Sequence, residues 1–195
     1  MPEASMRGSA VQFVANHKHS SLIVMDKISV EGVGQIIMLL SEARKKRKQI
    51  FICGNGGSAA TASHFANDLG KGASCGRPTR FRVYALTDNM PWITALANDI
   101  GYSHIFVEQL KNHAEPNDLL IAFSGSGNSP NIVEAVKWAN DNGVITLGIT
   151  GRPGGELGRL ARHPHFVESS QMAHIEEAHF LIQHMIAYYF MDVAE

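Results

Sequence analysis

Two groups of titratable side chains lie far apart in the sequence, each at helical spacing. His64 and Asp68 are four residues apart, so a helix would present both on one face. The segment HIEEAHFLIQH, residues 174–184, carries Glu176 and His184 two turns apart, and both could face one site. Histidine and carboxylate side chains bind zinc, and they are also the usual groups for proton transfer. The spacing permits either chemistry, although packed or solvated histidines are common on helices.

Two loops rich in glycine and serine follow apolar runs that predict strands. The first is GNGGS, residues 54–58, and the second is SGSGNS, residues 124–129. Glycine lets a ligand approach the backbone closely, and the start of the following helix offers free N–H groups that suit a phosphate. Ser129 before Pro130 also fits an N-cap followed by proline at the first helical position. Two such loops favour phosphate binding over two plain turns.

Neither loop matches a nucleotide-binding fingerprint. Ala59 stands where the third glycine of G-x-G-x-x-G would fall, and the sequence contains no G-x-x-x-x-G-K-[ST] loop. We therefore expect the ligand to be a phosphomonoester rather than a dinucleotide or a nucleoside triphosphate.

Short apolar runs alternate with helical segments after residue 49. Strands are expected at residues 49–53, 82–86, 119–124, 144–150 and, in a shorter run, 165–167. Helices are expected at about 58–70, 91–113 with a break near Gly101, 130–142, 155–162 and 173–193. This alternation predicts a parallel sheet that binds ligands beyond the carboxyl ends of its strands. Ahead of the sheet, we expect an amphipathic helix within residues 9–28 and a second helix that ends in the basic run 44–48.

Composition limits the class of protein. The 195 residues are 45% hydrophobic and 18% charged, with a formal net charge of −1, so we expect no nucleic-acid or membrane partner. The basic run is expected to complement a helix dipole on a solvated face. Two cysteines make no disulfide framework, and Cys53 is expected in the core. Without a signal peptide or an apolar run of membrane-spanning length, we expect one cytoplasmic domain over residues 1–195. Residues 1–48 would be an N-terminal helical segment and 49–195 the α/β core.

Five stretches of sequence occur in a specific order: ICGNGGSAATASHFANDL, ALANDIGY, SGSGNSPNIVEAVKWA, GITGRPGGEL and HIEEAHFLIQHMI. In this order they resemble the sugar isomerase (SIS) domain family, and within it the phosphoheptose isomerases. The resemblance implies a flavodoxin-like three-layer α/β sandwich with a five-stranded parallel sheet and added N-terminal helices. It also implies a homotetramer with sites at subunit boundaries, and the aldose–ketose isomerisation of sedoheptulose 7-phosphate.

The resemblance also assigns roles to individual positions. It implies one zinc ion per subunit, with ligands at His64, Asp68, Glu176 and His184. It implies catalytic roles, as base and acid, for Asp68 and His184. Positions that would contact substrate are Asn55, Gly56, Gly57, Ser58, Asp68, Asn98, Asp99, Ser124, Gly125, Ser126, Ser129 and Glu176, with the serines and Gly125 of the second loop holding the phosphate.

Two of the four metal positions depart from the family pattern. Asp68 replaces a glutamate, and Glu176 replaces a glutamine. Aspartate is one methylene shorter, and a misplacement of about 1 Å can cost on the order of a hundredfold in rate. We therefore expect Asp68 to stay a metal ligand while Glu176 shares or assumes the role of general base. The added carboxylate should tighten metal binding.

Two other functions remain open at this point. A non-catalytic branch of the SIS family, the proteins that associate with the replication initiator, has lost the catalytic carboxylate and the last histidine. This chain keeps His64, a carboxylate at position 68 and His184, which favours an enzyme. The other alternative is an isomerase of a different sugar phosphate, because specificity would depend on side chains at a subunit boundary.

Overall fold

A five-stranded parallel sheet forms the centre of the molecule. The computed structural model describes residues 3–193, with side chains described from Arg7 onward. The strands are β1 Gln49–Cys53, β2 Arg82–Ala85, β3 Leu119–Ser124, β4 Ile145–Gly151 and β5 His163–Val167. Their order is β2-β1-β3-β4-β5, and every neighbouring pair is parallel. This is the flavodoxin-like order, so the predicted fold class is confirmed.

Helices cover both faces of the sheet. Their bounds are α1 Glu3–Asp26, α2 Val30–Lys45, α3 Gly57–Asn67, α4 Met90–Asp99, α5 Val107–His113, α6 Pro130–Asp141, α7 Gly155–Leu160 and α8 Met172–Asp192. A π-helical turn, Asp68–Gly72, continues α3. The predicted break near Gly101 separates α4 from α5, because this glycine has a φ of 108° that few other residues adopt.

Strand β3 illustrates why the sheet is buried on both sides. Leu119, Ile121 and Phe123 point into an apolar cluster shared with α2, α3 and α8. Leu120 and Ala122 point into a second cluster on the other face, shared with α5, α6 and α7. A strand with no polar face is therefore a continuous apolar run in the sequence. The helices on the two faces of the sheet make the fold a three-layer sandwich.

The N-terminal helix differs from the expected amphipathic pattern. In α1, exposed apolar side chains outnumber buried ones: Val24 is buried, whereas Val11, Phe13, Val14, Leu22 and Ile23 are exposed. The apolar residues of α1 thus do not segregate toward the core of this chain. Within residues 3–193, no helix combines the length and the apolar character that crossing a membrane requires.

The basic run at the end of α2 is not a uniformly solvated face. Lys45, Lys46 and Arg47 are exposed as expected, but Arg44 is only 5% exposed. Its guanidinium lies beside a pair of aromatic rings, with Cζ 5.2 Å from the ring centre of Phe81 and 6.0 Å from that of Phe190. Cys53 is fully buried, as expected for a core residue, and burial raises the pKa of its thiol.

Candidate active site

Three side chains that could bind a metal converge where α3 and α8 pack side by side. His64 lies on α3, Asp68 begins the π-helical turn after it, and His184 lies on α8. Nε2 of His64 is 3.0 Å from Nε2 of His184 and 3.2 Å from Oδ2 of Asp68. Nε2 of His184 is 3.8 Å from the same carboxylate oxygen. Among the described residues these three form the one group whose ligand atoms lie within 4.8 Å of one another.

The donor set of this His–Asp–His group fits zinc. Oδ2 of Asp68 is buried and accepts no hydrogen bond from a described residue, although the two imidazole nitrogens lie 3.2 and 3.8 Å away. A buried carboxylate oxygen is costly unless something positive satisfies it, such as a protonated imidazole or a metal ion. Two imidazole nitrogens that face each other can share a proton or bind one cation. Two nitrogens and one oxygen match a zinc site that keeps an open position for substrate.

Aromatic rings enclose the two histidines of this group. The ring centre of Phe180 is 4.9 Å from that of His64 and 4.7 Å from that of His184. Tyr188 lies 5.9 Å from His184 in an edge-on arrangement. The sequence analysis did not single out these two aromatic residues. Their spacing of four residues on either side of His184 was the available signal.

Glu176 lies outside the His–Asp–His group of its own chain. Eight residues separate it from His184, which is about 12 Å along α8. Its carboxylate lies instead against Gly57 at the start of α3, where an added Cβ would fall 2.7 Å from Cδ and Oε2 of Glu176. Within the described chain, the predicted four-ligand set is therefore reduced to three members.

Glu176 contributes to a separate cavity at the carboxyl ends of β1 and β3. This serine pocket measures about 220 Å³ and is lined by Asn55, Ser58, Phe123, Ser124, Gly125, Ser126, Ser129, Met172 and Glu176. The start of α3 and the start of α6 both contribute residues to it, so helix N-termini add partial positive charge. Its lining contains no lysine or arginine. Phe123 and Met172 are additions that the motifs did not indicate.

The second loop is held by its own hydroxyl groups, except at its last serine. The hydroxyl of Ser124 accepts a hydrogen bond from the Gly127 N–H at 3.1 Å, and that of Ser126 accepts one from the Asn128 N–H at 3.2 Å. Ser129 stands at the N-cap position of α6, before Pro130, but its side chain makes no cap hydrogen bond. The predicted N-cap position of Ser129, followed by proline, is confirmed, but its hydroxyl makes no cap hydrogen bond and is available to a ligand.

Of the first loop, Asn55 lines the serine pocket, and Gly56 follows it at the turn into α3. Asn55 exchanges two side-chain hydrogen bonds with Asn131, at 2.8 and 2.9 Å, and accepts a third from the Tyr102 hydroxyl at 3.1 Å. Neither Asn131 nor Tyr102 stood out in the sequence analysis. Gly56 has a φ of 55° where the chain turns into α3, a conformation that favours glycine.

Asn98 and Asp99 lie away from both clusters. They are exposed at the end of α4, where the amide of Asn98 donates to the carboxylate of Asp99 at 2.8 Å. Neither residue lines the serine pocket. The contact of these two residues with a substrate stays a prediction.

A further histidine on α8, His179, is fully buried and has no hydrogen bond at either ring nitrogen. Burial, followed by the nearby charge of His165, lowers the pKa of His179 to about 3. Burial also lowers the pKa of His165. Both imidazoles are consequently neutral near pH 7, and His179 is a core residue rather than an acid–base group.

Comparisons with known proteins identify relatives of this chain. The phosphoheptose isomerase of Campylobacter jejuni subsp. jejuni serotype O:6 is 40% identical over 169 residues, which cover 87% of this chain and 90% of that protein. The phosphoheptose isomerase of Aliarcobacter butzleri is 36% identical over 181 residues, covering 93% and 95%. The solved structure of phosphoheptose isomerase from Neisseria gonorrhoeae has a TM-score of 0.86 at 32% identity, covering 94% of this chain and 100% of that chain.

The family profile described as the SIS domain matches residues 16–151, which is more than half of the chain. The profile spans both glycine loops, His64 and Asp68, while α8 lies beyond its end. The longer alignments to the individual isomerases extend the similarity over most of the remainder. The chain therefore belongs to the SIS domain family, is similar to the phosphoheptose isomerases within it, and is a sugar phosphate isomerase.

Proposed function

We propose that this protein converts sedoheptulose 7-phosphate to D-glycero-D-manno-heptose 7-phosphate through an enediol. The observation that carries the proposal is the pairing of a His–Asp–His group with a separate serine pocket, in a chain similar to phosphoheptose isomerases. A seven-carbon sugar phosphate has its phosphate and its C1–C2 pair at opposite ends. Such a substrate therefore requires two sub-sites, one for anion binding and one for proton transfer.

The serine pocket would bind the phosphate end. Backbone N–H groups at the starts of α3 and α6 and the hydroxyls of Ser58, Ser126 and Ser129 would donate to the phosphate oxygens. Gly56 and Gly57 would let the sugar approach the backbone, and Asn55 would donate its amide. A dianionic phosphate would be repelled by the carboxylate of Glu176. This carboxylate would therefore accept hydrogen bonds from the hydroxyl groups of the sugar instead. Binding energy from this remote end would orient the reacting carbons.

The His–Asp–His group would carry the proton transfers. A carboxylate base removes the proton from C1 or C2 and returns it to the neighbouring carbon, and His184 moves a proton between the two oxygens. Asp68 is the favoured base because it lies beside His184, whereas Glu176 is two helical turns away in the same chain. Zinc held by His64, Asp68 and His184 would stabilise the negative charge that develops on the enediol oxygens.

We also propose that subunit boundaries complete the site in a homotetramer. Large apolar side chains are exposed on α1 and α8, among them Phe13, Leu22, Phe180 and Tyr188. Such patches commonly mark contacts between chains. A neighbouring chain could bring Glu176 to the His–Asp–His group, or Asn98 and Asp99 to the sugar. A single domain over residues 1–195 is part of the proposal, although residues 1–2 and 194–195 lie outside the described part. A cytoplasmic location and the absence of a nucleic-acid partner remain predictions.

The test is an NMR assay of isomerisation, with metal analysis of the purified enzyme. Asp68→Ala, Glu176→Ala and the double variant are compared with Asp141→Ala, which removes an exposed carboxylate on α6. We expect Asp68→Ala to lose at least about a hundredfold in kcat, because general-base catalysis contributes on that order, and Asp141→Ala to be unchanged. A double variant with wild-type turnover would refute the assignment of the base.

The same assay addresses the identity of the substrate. Sedoheptulose 7-phosphate is compared with a ketohexose phosphate and with unphosphorylated sedoheptulose. Loss of activity with the unphosphorylated sugar is expected from the serine pocket. Faster turnover of the six-carbon phosphate would show an isomerase of another sugar phosphate, and no turnover of any of them in zinc-loaded protein would favour a binding protein.

A further inference from the structure

Arg44 is a buried cation without an acidic partner. The residue is 5% exposed, and its Nε donates to the carbonyl oxygen of Thr79 at 3.0 Å. Within the described residues, neither terminal guanidinium nitrogen makes a hydrogen bond, and Nη2 is also shielded from solvent. The rings of Phe81 and Phe190, which pack edge-on against each other, lie beside the guanidinium with their centres 5.2 and 6.0 Å from Cζ. Aromatic faces attract the charge but leave the terminal N–H donors unused, and buried arginines are normally paired.

A cavity of about 320 Å³ borders Arg44, between the last turns of α2 and α8. This arginine cavity, as we call it, is also lined by Lys45 and by three residues with hydroxyl groups, Ser41, Thr79 and Tyr189. The hydroxyls make no hydrogen bond to any described residue. Among the described residues, the lining contains two cations and no carboxylate. The volume of the cavity lies at the small end of the roughly 300–1,000 Å³ of small-molecule sites.

The dipole of α2 does not explain why Arg44 is buried. Burial, followed by the nearby charge of Arg77, lowers the pKa of the Arg44 guanidinium. Cations near the C-terminal turns of α2 and α8 do complement the helix dipoles. Exposed Lys45 already complements the dipole at the end of α2, so the dipole does not account for burying a guanidinium whose Nη2 makes no hydrogen bond to a described residue.

We propose that the arginine cavity binds a small phosphate-bearing anion. The planar fork of Arg44 is suited to two parallel hydrogen bonds to phosphate oxygens, and contact with Phe81 and Phe190 holds it ready. Lys45 adds a second charge at the exposed mouth, and the hydroxyls of Ser41 and Tyr189 supply neutral donors. A carboxylate ligand would share this chemistry, so the comparison of phosphate with acetate identifies the preferred group.

This site is distinct from the serine pocket. Glu176 and Phe190 are separated by fourteen residues of α8, which is roughly 21 Å along the helix. One molecule of substrate in the serine pocket does not reach the arginine cavity of the same chain. An anion bound there would act on the enzyme by way of α8, the helix that also carries His184.

The experiment is a ³¹P NMR titration with inorganic phosphate. The background is a Ser126→Ala, Ser129→Ala variant, which weakens binding in the serine pocket. Arg44→Gln is added to it, with Arg47→Gln as the matched control that removes an exposed cation three residues away. We expect phosphate binding to persist in the background and with Arg47→Gln. With Arg44→Gln it should weaken at least about tenfold, as for the loss of a charge-assisted hydrogen bond.

A second pair of variants distinguishes loss of the binding site from misfolding. Lys45→Gln and Tyr189→Phe leave the guanidinium in place and should each weaken phosphate binding severalfold. Phosphate binding that does not depend on Arg44, or no binding beyond that of acetate and chloride at equal ionic strength, overturns the proposal. Because the readout is binding of phosphate in a background that lacks the two loop serines, its outcome is independent of whether the serine pocket binds substrate.

Discussion

Replacing Gly57 with alanine tests whether the position of the Glu176 carboxylate matters to the reaction. The added Cβ would lie 2.7 Å from Cδ and Oε2 of Glu176, whereas ordinary contact begins at 3.4 Å. The carboxylate must therefore retreat by about 0.7 Å, and it can do so because it ends a flexible side chain. Since a misplacement of about 1 Å can cost a hundredfold, we expect kcat/KM to fall tenfold to a hundredfold.

The fold should tolerate this change. Gly57 is the first residue of α3 and its surroundings are otherwise open, so the free energy of unfolding should change by less than about 1 kcal/mol. Gly34→Ala is the matched control: it lies on α2, and its new Cβ would meet nothing within 4 Å. That variant should keep full activity and gain up to roughly 1 kcal/mol of stability.

A double-mutant cycle shows whether Gly57→Ala acts through Glu176. Steady-state kinetics are measured for Gly57→Ala, Glu176→Ala and the combination. If the alanine acts by displacing the carboxylate, it should cost no more than about twofold once Glu176 is gone. If Gly57→Ala lowers kcat/KM as much in the absence of Glu176 as in its presence, Gly57 is needed because the substrate lies close to its backbone. Unchanged kinetics in Gly57→Ala itself would refute a role for the carboxylate at this place.

Three further predictions concern the phosphate loop, the metal and pH. Ser129→Ala should raise KM at least about tenfold with little effect on urea unfolding, because the hydroxyl makes no cap hydrogen bond; a loss of stability instead would contradict this. His64→Ala should weaken zinc binding by at least about a hundredfold in a chelator competition, more than loss of a residue that merely orients a ligand; equal affinity would exclude His64 as a ligand. Burial keeps the folded pKa of His179 at about 3, against 6.5 when exposed. Between about pH 7 and pH 5 the unfolded chain therefore protonates this imidazole, whereas the folded chain does not. The free energy of unfolding should fall by about 2 kcal/mol from about pH 7 to pH 5. His179→Gln should remove that dependence, and an unchanged pH profile in this variant would exclude the histidine as its source.

Local patterns in the sequence were sufficient for the sheet and most helices. The run LLIAFS predicts β3 because a strand buried on both faces must be apolar throughout. The interruption between α4 and α5 at Gly101 follows from the backbone freedom of glycine. The pattern failed at α1, whose apolar side chains are exposed in the single chain. Periodicity records which residues are apolar and carries no information about the surface that covers them.

The candidate site, too, could be predicted from the sequence only in part. The spacing of His64 and Asp68 along one helical segment could be read from the chain, and so could the loops that precede α3 and α6. The meeting of His64 with His184, 120 residues later, depends on how α3 packs against α8. The same packing sets Glu176 against Gly57, away from His184, although both lie on one helix.

What the sequence determined by itself is the order of strands and helices, the two phosphate-type loops and the family, because each rests on short-range backbone preferences and on motifs. What only the tertiary structure decided is which side chains share a site. It joined His64, Asp68 and His184, put Glu176 in the serine pocket, and buried Arg44 beside two aromatic rings. The physical reason is that rotation and axial offset of packed helices are set by contacts summed over the whole core, and no local spacing encodes them.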